Sequence, residues 1–117
     1  MKIEILLDTI DPNDPLAIDP VGTITLIAGQ DILSEPYVYL DSWLNALKEG
    51  CAKMAVVDRA EIDLIEERDP LVFQRTDGEI RISFKEKFVA AKNIEEIDVA
   101  VTAALKELAN TQIFPKK

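Results

Sequence analysis

The chain has 117 residues, 48% hydrophobic and 30% charged, with 13 basic against 22 acidic side chains and a formal net charge of −9. That length suits one domain, residues 1–117, able to bury a core without metal or disulfide staples. Nucleic acid and anionic membrane surfaces are held chiefly by Lys and Arg meeting phosphates, so the acidic balance speaks against both as partners.

The elements follow from periodicity. Residues 2–10 alternate, with Ile3, Ile5 and Leu7 against Glu4, Leu6 and Asp8, and read as a strand. Asp11-Pro12-Asn13-Asp14-Pro15 and then Asp19-Pro20 make a loop, because Asp-Pro steps initiate turns. Residues 21–28 are β-branched and alternate. Gly29-Gln30 is a hairpin turn into a second arm that continues to Tyr39, where Pro36 marks an edge or a bulge. Leu40, Leu44, Leu47, Cys51 and Met54 trace one helical face behind a cap at Asp41 or Ser42. Gly50 weakens that helix by about 1 kcal/mol relative to Ala.

From residue 60 the period returns to two. Glu61 to Leu64 alternate, Asp69-Pro70 turns, and Leu71 to Thr76 forms a strand. Asp77-Gly78 is the strongest hairpin signal in the chain. Ile80, Ile82 and Phe84 then alternate with charged neighbours, and Glu86-Lys87 turns into Phe88-Val89-Ala90. Asn93, with Glu96 three residues on, caps a final helix bearing Ile94, Ile97, Val101, Ala104 and Leu108 on one face. Residues 111–117 read as a loose tail. The order β-β-β-α-β-β-β-β-α predicts an α+β fold, mostly antiparallel, with both helices on one face of the sheet. Ala46-Leu47-Lys48-Glu49 recurs as Ala104-Leu105-Lys106-Glu107, each after a hairpin; all four are ordinary helix residues.

Residue types narrow the chemistry. Histidine is absent, which removes the commonest base near neutral pH and excludes Ser-His-Asp and Cys-His arrangements. One cysteine, Cys51, makes neither an intrachain disulfide nor a zinc site. The four glycines stand singly, so there is no glycine-rich phosphate loop. No cofactor and no bound metal are expected. The first residues lack the apolar stretch of a signal peptide, and no run approaches the ~18 apolar residues that span a bilayer, so the expected location is cytoplasmic.

Carboxylates are the remaining reactive groups. Asp8, Asp11, Asp14 and Asp19 surround the proline-rich loop, but Pro15 spoils the alternation of a calcium loop and no glycine follows, so turn chemistry explains them. Asp58, Glu61, Asp63, Glu66 and Glu67 form a second group. Glu61 and Asp63 share a face, with Arg75 and Arg81 on later strands able to pair across the ladder, as on a solvated surface. Cys51 lies on an apolar stripe and reads as a buried structural thiol. Tyr37, Tyr39 and Trp43 gather where a strand enters the first helix. Aromatics with polar tips are enriched in binding hot spots, which makes these three the candidate partner-binding residues.

Tyr39-Leu40-Asp41-Ser42-Trp43-Leu44 and Asp69-Pro70-Leu71-Val72-Phe73, the latter followed by Asp77-Gly78, resemble stretches of small acidic bacterial α+β proteins without assigned activity. Some proteins of that kind are immunity proteins, which neutralise toxins by binding them. The resemblance implies binding and assigns no catalytic residue. The leading expectation is therefore a non-enzymatic interaction module, immunity-like, with a basic protein partner. The alternatives are a small carboxylate enzyme assisted by magnesium, and a homo-oligomer paired through a sheet edge near Pro36.

Overall fold

Strands form where alternation lets one face be buried, and seven of them are seen among the described residues: β1 (Lys2–Leu7), β2 (Val21–Ala28), β3 (Asp31–Tyr39), β4 (Arg59–Ile62), β5 (Leu71–Thr76), β6 (Glu79–Phe84) and β7 (Lys87–Ala91). The helices are α1 (Leu40–Met54) and α2 (Ile94–Gln112). The structure is a computed structural model that describes residues 1–7, 20–65 and 67–112. The Asp-Pro loop, the expected continuation of the first strand to residue 10, and residues 113–117 of the expected tail lie outside the described residues. Residues 111 and 112, read as tail, belong to α2.

The fold is α+β in the expected order, and every ladder is antiparallel. The strands divide between two sheets, β1-β2-β3 and β4-β5-β6-β7. β3 adjoins β7 at the seam, and each helix reaches both sheets: α1 packs on β2 to β5, α2 on β1 and β7, and the helices on each other. One apolar core results, which includes Ile24, Leu26 and Leu33 from the first sheet, Phe73, Ile82 and Phe84 from the second, and Leu44, Leu47 and Val101 from the helices.

Local chemistry sets the turns. Gly29 takes φ +62°, and at the Asp77-Gly78 hairpin both central residues have positive φ, +48° and +81°. A two-residue loop of that kind matches the right-handed twist of its strands. The β6–β7 turn sits at Lys85-Glu86, one residue before the expected Glu86-Lys87, with Lys85 at φ +57°. Lys87 is consequently the first residue of β7.

The helix starts differ. At α2 the Asn93 side-chain oxygen accepts from the Glu96 backbone N–H at 2.8 Å, the cap the sequence predicts. At α1 the cap position is Tyr39, not Asp41 or Ser42, and no side chain caps it. Tertiary and local partners serve instead: Leu40 N–H donates to the Pro20 carbonyl at 2.9 Å, and Ser42 N–H to Asp41 Oδ1 at 2.8 Å. Those bonds replace the missing cap and hold the helix start against the strand before it.

Gly50 is the clearest departure from local preference. A Cβ there would stand 2.2 Å from the Phe73 ring, which is fully buried. The glycine costs helix stability but lets β5 and α1 approach closely.

Candidate protein-interaction surface

Tyr37 and Tyr39 sit at the end of β3 and Trp43 in the first turn of α1, and the ladder explains how the two tyrosines are disposed. Gly22 pairs with Val38 and Ile24 with Glu35, so Thr23 alone faces both Pro36 and Tyr37. One extra residue in one strand is a β-bulge, as expected at Pro36. Its effect is to reset alternation: Glu35 and Val38 are both buried while Pro36 and Tyr37 between them are exposed. Without the extra residue Val38 would turn its side chain away from the core. Tyr37 thereby takes φ +56°, a left-handed conformation unusual for a side chain of its size, and is 82% exposed.

The three aromatics do not form one patch. Trp43 is 1% exposed and packs edge-on against Phe84, with ring centroids 4.9 Å apart and planes at 72°. It belongs to the core. Its indole N–H is buried without a hydrogen-bond partner among the described residues. Tyr39 is half-buried at the strand–helix junction, and Tyr37 alone of the three is fully presented to solvent.

Two residues before Tyr37 lies a buried charge that periodicity alone did not single out. Glu35, 8% exposed, accepts from Lys87 Nζ at 2.5 Å, and Lys85 Nζ stands 4.0 Å from its other oxygen. Lys87 also donates to the Ser34 carbonyl at 2.8 Å. These bonds tie β3 to β7 where no backbone ladder joins them. The signal was present in the alternation, since Glu35 shares parity with inward Leu33, but its partner depended on the one-residue position of the β6–β7 turn.

The second acidic group is dispersed. Glu61 pairs with Arg59 on its own strand at 2.6 Å, not with Arg75 or Arg81 across the ladder. Arg75 meets Asp58 at 3.3 Å and donates to the Met54 carbonyl at 2.8 Å, while Arg81 stacks over the Phe88 ring at 4.4 Å. Asp63 is exposed. Among the described residues no three acidic or thiol side chains are placed to hold a metal ion. Asp8, Asp11, Asp14, Asp19 and Glu66 lie outside the described residues. No helix among them is long and apolar enough to cross a membrane.

The chain matches no family model, no curated protein and no solved structure.

Cys51, 6% exposed, faces α2 from the buried side of α1. Burial, with the negative charge of Asp98 adding to it, pushes its thiol from 9.0 to about 11. At neutral pH it is protonated, so it is a poor nucleophile and serves as a packing residue.

Proposed function

We propose that the chain is a non-enzymatic protein-interaction module that presents Tyr37 to a basic partner, in the manner of an immunity-type inhibitor. The observation that carries this reading is the bulge, which holds a large aromatic in a costly backbone conformation and exposes 82% of it. Strained residues persist where the surrounding structure over-determines them, and they cluster at functional positions. Tyrosine offers contact area at small entropic cost and keeps a polar tip for a hydrogen bond. The net charge of −9 favours encounter with a cationic surface and makes that encounter salt-dependent.

The test is retrieval of a partner from the native cell by the purified chain at rising salt, beside Tyr37→Ala. A basic protein that elutes as salt rises, escapes the variant, and loses its own activity when bound supports the proposal. Recovery unaffected by both salt and Tyr37→Ala overturns it. Trp43→Ala is unsuitable for this purpose, because it removes a core side chain.

A further inference from the structure

β1 lies at the end of its sheet, paired with β2 on one side only. Among the described residues no strand pairs with its other side, where alternate backbone N–H and C=O groups of Lys2–Leu7 point outward. A groove of about 530 Å³ follows β1, lined by every residue from Lys2 to Leu6, with Thr23 and Thr25 from β2 and Glu107 on the α2 side. Lys2 and Glu4 point the same way, as their 3.1 Å ion pair requires, and their side chains are 72% and 52% exposed.

We infer that this edge receives β1 of a second copy of the chain, giving a symmetric dimer with one continuous sheet across the two-fold axis. The charge order selects both direction and register. With a second β1 antiparallel about Ile3, Lys2 of each copy stands opposite Glu4 of the other, and Ile3 opposite its own counterpart. Faces match only at shifts of two residues. The register about Glu4 places Glu4 against Glu4, that about Ile5 places each Glu4 against Leu6 with no opposite charges paired among the described residues, and parallel in-register pairing places Lys2 against Lys2. Opposite charges directly across an antiparallel pair stabilise it, and like charges weaken it. Charged side chains on an edge ordinarily keep strands apart; here their order is its own complement, as a two-fold interface demands. A foreign basic strand lacks that match, because it would meet Lys2.

The edge is short, so the dimer is weak. Analytical ultracentrifugation over a concentration series tests it, on Lys2→Glu, on Glu4→Lys and on the combined exchange, with circular dichroism confirming that each variant folds. Each single reversal sets like charges across the axis twice and weakens dimerisation by about tenfold or more. The combined exchange restores the opposite pairing and recovers it. A wild-type chain that stays monomeric at millimolar concentration, or single reversals that dimerise as wild type does, overturns the inference. Tyr37→Ala leaves dimerisation unchanged, so this interface and the proposed partner site fail or stand independently.

Discussion

The two hairpin-plus-helix units, β2-β3-α1 and β6-β7-α2, use the same plan and obey local rules to different degrees. In the second unit the strands pair without a bulge, Asn93 caps the helix, and small residues such as Ala100 and Ala104 line its buried side. In the first, β3 carries a bulge with Tyr37 in left-handed backbone, α1 starts without a side-chain cap, and a glycine sits inside the helix. Even the shared tetrapeptide is used differently: Leu47 is fully buried, whereas Leu105 is only partly so. Apart from Lys85, which takes φ +57° in the β6–β7 turn, the second unit keeps to local rules. The first breaks local rules where tertiary contacts outweigh them, and the breaks are where function is expected.

The comparison can be pressed hardest at Trp43, which joins the units through Phe84. Trp43→Ala should lower unfolding free energy by about 3–5 kcal/mol, read from the denaturant midpoint. Trp43→Phe should cost clearly less, because it keeps most of the packing and removes a buried N–H that has no partner among the described residues. A loss below ~1 kcal/mol for the alanine variant would mean that the units do not depend on each other here.

Gly50→Ala sharpens the contrast, because propensity and packing predict opposite signs. Helix propensity alone predicts about 1 kcal/mol of gain. The Phe73 ring 2.2 Å from the new methyl predicts a net loss of about 1–3 kcal/mol from overpacking. A stabilised variant would show that α1 and β5 can separate freely.

The smallest effect lies at the start of α2, where the Met1 ammonium donates to Glu96 Oε1 at 2.5 Å. That hydrogen bond, reinforced by the ammonium charge and by Lys92, outweighs burial and holds the Glu96 carboxyl below its usual range. A carboxyl depressed in the folded state contributes stability above its unfolded value and loses it as pH falls through the lowered one. Glu96→Gln should therefore cost no more than about 1 kcal/mol at neutral pH, and the difference from wild type should vanish in acid. Paired urea titrations along a pH series would show it, and a difference that stayed constant into acid would refute the assignment.

Much of the architecture was legible in the residues themselves. Alternation at Val21–Ala28 and Glu79–Phe84, the Asp77-Gly78 turn, and the Asn93 cap are decided by neighbours a few positions away, so short-range chemistry suffices to read them. The candidate site was legible only in part. Tyr37, Tyr39 and Trp43 are close in sequence, yet one added residue in β3 sends Tyr37 outward while the helix buries Trp43. A bulge is fixed by pairing with β2, so its consequence for side-chain direction was not readable from β3 alone.

The amino-acid order by itself determined the α+β class, the element order, the net negative charge and the buried character of Cys51, because periodicity and composition act locally or in sum. Tertiary structure alone decided the division into two sheets, the Glu35–Lys87 tie across their seam, the need for Gly50 and the isolation of Tyr37. Each of those depends on a contact between residues far apart in the chain, and only the folded geometry brings them together.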